Sequence, residues 1–197
     1  MTPKIVLLNG PPYSGKDTIA RHLLERTPPK YGVIMKFATP LKTIVRDFFC
    51  FGDQKLFDFW DSPANKDKPT DQFLGRSCRD CQIGVSEGFF KPTFGQDVFG
   101  KILARDIART EKGIYYISDS GFRPEAEVLV KKFGAENVIL VNLERDNTSF
   151  KGDSRGYINL DDLEVTRLTI HNNEGSSEKT AINIREIIYP IAKEYLV

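Results

Sequence analysis

The sequence predicts a doubly wound α/β fold on a parallel sheet of five strands, and three observations predict it. Five short apolar, β-rich runs are spread along the chain: Ile5–Leu8, Val33–Phe37, Ile114–Ser118, Val138–Leu143 and Val165–Ile170. Several have few polar interruptions, as strands buried on both faces require. Helical patterns separate the runs, at Lys16–Glu25, Pro40–Phe49, Asp71–Ile83, Gln96–Arg109, Pro124–Phe133 and Lys179–Tyr195. Strand–helix alternation implies right-handed crossovers, with ligands at the carboxyl ends of the strands. Finally, the first strand runs straight into the glycine-bounded stretch Asn9-Gly10-Pro11-Pro12-Tyr13-Ser14-Gly15-Lys16-Asp17-Thr18, and a helix follows it.

That stretch has Gly10, Gly15 and Lys16 in the register G-x-x-x-x-G-K of a phosphate-binding P-loop. Backbone N–H groups of such a loop wrap around phosphates, and the new helix adds the partial positive charge of its N-terminus. The lysine reaches the β- and γ-phosphates. Gly10, Tyr13, Ser14, Gly15, Lys16, Asp17 and Thr18 are therefore the candidate residues for a nucleoside triphosphate, ATP. The pattern usually continues with Ser or Thr, whose hydroxyl binds Mg²⁺. Here Asp17 follows the lysine and Thr18 comes one later. A carboxylate is a good hard-cation ligand, so Asp17 is the metal-side residue ahead of Thr18.

The second strand leads through Pro40-Leu41-Lys42 into a helix, and the chain between Phe37 and Ile114 is far longer than one crossover needs. The excess, about residues 40–112, reads as an insert within a single domain spanning 1–197. It is rich in aromatics, among them Phe48, Phe49, Phe57, Trp60, Phe73, Phe90 and Phe99, which would supply a small core of its own. Asp58–Gln72 is polar, holds two prolines and reads as a loop. Lys42, Arg76 and Arg79 are candidate anion-binding residues for an acceptor substrate. Cys78-x-x-Cys81 invites a zinc or redox reading, but His22 and His171 lie far off in sequence. Three residues apart on a helix is one face, so the structural reading is preferred.

The third strand ends in Asp119, where a carboxylate would face the loop and hold Mg²⁺ or its water shell. Arg123, shortly after it, could bind a phosphate or pair with Asp119 or Glu127. The fourth strand ends at Asn142-Leu143-Glu144-Arg145, and a polar stretch with Lys151, Gly152, Arg155 and Gly156 follows. Over about residues 145–158 this reads as a lid whose arginines neutralise a transferring phosphoryl group while closure excludes water. Asp161 and Asp162 read as acids near a short helix.

Composition narrows the partners. Net charge is +1 over 197 residues, so no bulk electrostatic argument favours nucleic acid or a membrane surface. No apolar run approaches membrane-spanning length, and the chain enters a strand without a signal-like segment. The expectation is a cytoplasmic protein acting on small molecules.

Several motifs together resemble the phage-type deoxynucleoside monophosphate kinases. Gly15-Lys16-Asp17-Thr18 is similar to their loop, where aspartate also follows the lysine, a variant that phosphomevalonate kinases share. Phe37-Ala38-Thr39-Pro40-Leu41-Lys42, Arg79-Asp80-Cys81-Gln82-Ile83-Gly84, Gly95-Gln96-Asp97-Val98-Phe99, Asp119-Ser120-Gly121-Phe122-Arg123-Pro124-Glu125 and Asn172-Asn173-Glu174-Gly175-Ser176 resemble further family segments, in order along nearly the whole chain. One departure is Phe122-Arg123, where the family more often has the arginine first.

The resemblance implies a nucleoside monophosphate kinase-like fold with a helical insert, and transfer of the γ-phosphoryl group of ATP to a deoxynucleoside monophosphate. It implies Lys16, Arg123, Arg145 and Arg155 as catalytic residues, and Lys42, Arg76, Arg79, Gln82 and Asp119 as acceptor-binding. Asp17, Thr18 and Asp119 would manage Mg²⁺, and Asn172 would lie beside the adenine. It also raises a homodimer, and the host cytoplasm as location if the protein is phage-encoded. Competing readings are a kinase of another small phosphorylated acceptor, such as phosphomevalonate or dephospho-coenzyme A, a nucleotide-gated binding module, and a nucleic-acid 5′-end kinase.

Overall fold

In the computed structural model, which describes residues 2–197, five strands form one parallel sheet in the order β2-β3-β1-β4-β5. The strands are β1 (Lys4–Asn9), β2 (Gly32–Met35), β3 (Ile114–Ser120), β4 (Val138–Glu144) and β5 (Thr166–His171). The helices are α1 (Lys16–Glu25), α2 (Thr39–Phe49), α3 (Gln54–Trp60), α4 (Cys78–Val85), α5 (Lys91–Phe94), α6 (Val98–Arg109), α7 (Arg123–Phe133) and α8 (Ser177–Leu196). This is the α/β architecture that the sequence predicts, with every expected strand found within a residue or two of its expected limits.

The chain divides into two compact units. The sheet unit contains the residues up to Phe37 together with Gly100–Val197, and the second unit is Ala38–Phe99. Residues 100–112, which the sequence reading placed in the insert, therefore pack with the sheet.

In the sheet unit, Ile5–Leu8 and Ile114–Ile117 are fully buried, because central parallel strands are covered on both faces. One face packs Val6, Leu8, Tyr116, Ile139 and Val141 against Ile19 and Leu23 of α1 and Ile184 and Ile188 of α8. In β5 the residues alternate half-buried and exposed, as an edge strand does. Pro190 lies inside α8, and the helix kinks at Ala192, where the backbone leaves helical angles.

The second unit has a small core of Val45, Cys50, Phe57, Phe73 and Cys78. Two expectations fail here. The helix expected over Asp71–Ile83 is interrupted: a short 3₁₀ turn at Asp71–Phe73 is stopped by Leu74 and Gly75, both with positive φ. A new helix then begins after Ser77, whose hydroxyl accepts the Asp80 N–H while the Asp80 carboxylate accepts the Ser77 N–H. The loop expected from Asp58 starts inside α3, which Asp53 caps by accepting the N–H groups of Lys55 and Leu56. The five residues Ser86–Phe90 form a π-turn that joins α4 to α5. The three cysteines carry no disulfide, and burial pushes the Cys78 thiol up to about 11, in keeping with a packing role for the Cys-x-x-Cys pair.

Candidate active site

The loop between β1 and α1 turns at Gly15, which holds φ +95 immediately before the helix. A side chain there would be strained in its backbone, and its Cβ would lie 2.5 Å from Asn172 Nδ2. Lys16 opens α1 and folds back over the loop, where its Nζ donates to Gly10 O at 2.6 Å and Pro11 O at 2.7 Å. Burial first, and the nearby Arg155 guanidinium second, pull its ammonium down to about 8. A half-buried ammonium on two loop carbonyls, at the first turn of a helix, is a donor set suited to a phosphate anion.

Asn172 is fully buried, directly after β5. Its Nδ2 donates to Ser14 O at 2.8 Å and its Oδ1 accepts from Thr180 Oγ1 at 3.0 Å. The sequence resemblance put it beside the base, whereas its amide is spent on holding the loop backbone. Arg145 also meets the loop: its Nη1 donates to Tyr13 O at 3.2 Å, and its Nη2 lies 3.9 Å from Glu174.

On the metal side, Asp17 Oδ1 accepts from Ser118 Oγ at 2.7 Å and pairs with Lys36 at 2.6 Å. Asp119 Oδ1 accepts the Phe37 N–H at 2.9 Å. Thr18 turns its hydroxyl to Arg21 on the exposed side of α1, so the hydroxyl beside Asp17 is that of Ser118. Among the described residues no three His, Cys, Asp or Glu side chains cluster to hold a metal by themselves. Mg²⁺ takes one or two protein oxygens and completes its shell with phosphates and water. Asp17 and Asp119 are the residues that would hold it.

The lid arginines have different destinations. Arg155 is clamped by Asp153, with Nε–Oδ1 at 2.8 Å and Nη2–Oδ2 at 2.6 Å, and this pairing raises its pKa. Its charge also acts on Lys16. Arg123 is instead engaged by Glu127 and Asp162, each at 2.6 Å, and by the Asn159 carbonyl. The ion pair with Glu127 that the sequence offered as its alternative role is thus formed. Asp161 and Asp162 do open a short 3₁₀ turn.

In the second unit, Lys42 and Gln82 converge on Asp61: Lys42 Nζ lies 2.5 Å from Oδ2, and Gln82 Nε2 donates to Oδ1 at 2.8 Å. Arg79 pairs with Asp67 at 2.5 Å, and burial first, with the Arg79 charge second, lowers the Lys66 ammonium. Arg76 stands apart from these, on an open groove of about 400 Å³ lined by Phe49, Asp80, Cys81, Gly84 and Val85. Asp119, expected to touch the acceptor, belongs to the sheet unit.

No protein-family model matches this chain, and a search of curated proteins finds no match. Solved structures share the fold. A protein from Chloroflexus aurantiacus J-10-fl, provisionally described as a kinase, superposes with a TM-score of 0.50 at 14% identity, over 96% of this chain and 97% of that one. A sugar kinase from Janibacter sp. HTCC2649 gives 0.45 at 14% identity, covering 96% and 98% of the two chains. A gluconokinase from Sinorhizobium meliloti 1021 gives 0.45 at 13%, covering 95% and 97%. At 14% identity the likeness to the Chloroflexus protein is one of fold, and the chemistry rests on the residues above.

Ser118, Lys36, Asn9, Asp153 and Asp61 were missed by the sequence reading. Ser118, Lys36 and Asn9 had a signal, since each lies within a segment already singled out. Asp153 and Asp61 had none, being acids among many. No helix among the described residues is long and apolar enough to cross a membrane.

Proposed function

We propose that this protein transfers the γ-phosphoryl group of ATP to a small phosphorylated acceptor, and that deoxynucleoside 5′-monophosphates are the acceptor class. The observation that carries the transfer reading is Lys16 at the first turn of α1, folded back over the glycine-bounded loop with its Nζ on the Gly10 and Pro11 carbonyls. The acceptor class rests on the sequence resemblance, supported by the Lys42–Asp61–Gln82 arrangement in the second unit.

The reaction needs no general base from the protein. An acceptor phosphate oxygen, largely ionised at neutral pH, attacks the γ-phosphorus. The bond from that phosphorus to the β,γ-bridging oxygen breaks, and ADP departs with the electron pair. The chain's part is to place both groups in line and to stabilise the spreading negative charge. The loop amides and Lys16 hold the donor, Arg155 sits at the transferring group, and Arg145 closes the outer side of the loop at Tyr13. Lys42, Arg79 and Gln82 hold the acceptor phosphate, with Asp61 orienting Lys42 and Gln82. Mg²⁺, when bound, neutralises phosphate charge, and Asp17 and Asp119 would hold it or its water shell.

ADP formation from ATP and Mg²⁺ tests the reading, with each deoxy- and ribonucleoside monophosphate and with phosphomevalonate, dephospho-coenzyme A and gluconate in parallel. Strong stimulation by one or more deoxynucleotides is expected. Stimulation by another phosphorylated compound would keep the transfer and replace the acceptor. ATP binding with no stimulation by any of them would overturn the kinase reading in favour of a nucleotide-gated module.

A further inference from the structure

Three residues lie abreast at the carboxyl edge of the sheet: Ser120 on β3, Asn9 on β1 and Asn142 on β4. Ser120 Oγ and Asn142 Oδ1 are buried without a hydrogen-bond partner. Asn9, between them and fully buried, uses its whole amide. Its Nδ2 donates to Ser120 O at 2.9 Å and Gly156 O at 3.0 Å, and its Oδ1 accepts the Ile158 N–H at 2.9 Å. One side chain thus ties the end of the lid to two central strands.

The lid stem is held on both sides of those bonds. Ile158 and Leu160 are buried, and Tyr157 Oη donates to Leu143 O at 3.0 Å. Gly121 follows β3, and a Cβ built on it would lie 2.6 Å from Arg155 Cδ and Cγ and 2.8 Å from its Cβ. The arginine's aliphatic stem therefore lies directly on the glycine backbone. Because the Arg155 Cβ is among these atoms, the clash cannot be relieved by swinging the end of the side chain alone.

We propose that Asn9 and Gly121 are positioning residues for phosphoryl transfer. Asn9 fixes the backbone of residues 156–158 to the sheet, and Gly121 leaves the space in which the Arg155 stem lies. Arg155 is then a stationary part of the phosphate site, not a cation carried in by lid closure. A buried amide suits this role, since its donor and acceptor groups fix two directions at once and leaving either unmet in the interior is unfavourable. This inference rests on the kinase reading for its catalytic consequence, but not for its structural content.

A double-mutant cycle and a protease experiment test it on the full chain. Asn9→Ala should lower kcat by about 30- to 100-fold, with the KM for ATP changed by less than about threefold, because a displaced arginine affects the transition state more than donor binding. In an Arg155→Ala background the same substitution should cost less than about threefold, since Asn9 acts through Arg155. Gly121→Ala leaves Asn9's own side chain in place and should reproduce the kcat loss.

Trypsin supplies a readout independent of activity, comparing initial cleavage after Arg155 with cleavage after the exposed Lys151. Asn9→Ala and Gly121→Ala should each raise that ratio by at least about tenfold, because they loosen the stem locally. An equal kcat loss in both backgrounds, or an unchanged cleavage ratio, would overturn the proposal. Absence of acceptor-dependent turnover in the unsubstituted protein would sink the kinase reading alone, and the cleavage ratio would still decide the positioning role.

Discussion

The sheet unit and the second unit bury apolar residues in different ways. In the first, whole strands disappear: Ile5 to Leu8 and Ile114 to Ile117 have no exposed surface, and the loop and its lysine hang from that layer. In the second, a core of five buried residues supports short helices, while Phe48, Phe51, Phe59, Phe89 and Phe94 stay more than half exposed. The loop before α1 in the sheet unit is shaped by backbone, through the strand ends and the Gly15 turn. In the second unit the polar residues are placed by one another, with Asp61 holding Lys42 and Gln82. A backbone-set site should tolerate little change, and a side-chain-set site should give way in small steps.

The largest effect should come from the backbone-set site. Lys16→Ala should reduce acceptor-dependent turnover by about a thousandfold or more, with the circular dichroism spectrum and melting temperature retained. A variant turning over as the parent does would break the loop assignment. Next, Phe73→Ala should destabilise the protein by about 3–5 kcal/mol in denaturant titration, because the ring is buried at the centre of the small core. A value near zero would mean that the second unit is not held by that core.

Lys42→Ala should raise the KM for the acceptor by about tenfold, with ATP affinity unchanged, since it removes one charged contact. An equal change in ATP affinity would remove the distinction between the two sites. The pH dependence of ATP affinity sharpens the same point. Lys16 titrates near 8 in the folded chain and at 10.5 when unfolded, so above about pH 8 the free protein must take up a proton to bind phosphate favourably. ATP affinity should then fall by up to about tenfold per pH unit above 8, and Lys16→Arg should flatten that fall. The linked stability effect has the opposite sign. Between pH 8 and 10.5 the unfolded chain still binds the proton, so the folded state gains stability from this group as pH rises. An ATP affinity independent of pH up to 10 would exclude a perturbed Lys16.

The smallest effect concerns the exposed aromatics. Phe51 holds φ +52 and is 88% exposed, so Phe51→Gly should be neutral or stabilising by about 1 kcal/mol. A loss comparable with that of Phe73→Ala would show that the ring is covered in solution.

Much of the sheet unit was legible because its signals are local. Apolar runs mark the strands, and Gly10, Gly15 and Lys16 mark the loop at fixed spacing. The second unit was less legible. Leu74 in a left-handed turn breaks a helical pattern that composition alone would continue, and the Asp53 cap starts a helix in what reads as the approach to a loop. Within the candidate site, Arg155 and Arg123 look alike as sequence: each is an arginine near a glycine after a strand. The fold sends one to Asp153 and lays its stem on Gly121, and sends the other to Glu127 and Asp162.

By itself, then, the sequence determined the parallel five-stranded layer, the glycine-bounded turn into α1 and the acid that follows its lysine. These depend on residue periodicity and on backbone geometry within a few positions. Tertiary structure alone decided which polar groups meet. Asn9 reaches Ile158, Asn172 reaches Ser14 and Ser118 reaches Asp17. Each pair is far apart along the chain. A polar side chain carries the same donors and acceptors whether it ends in water or in the interior, so its partner is set by packing, where an unmet buried group is unfavourable.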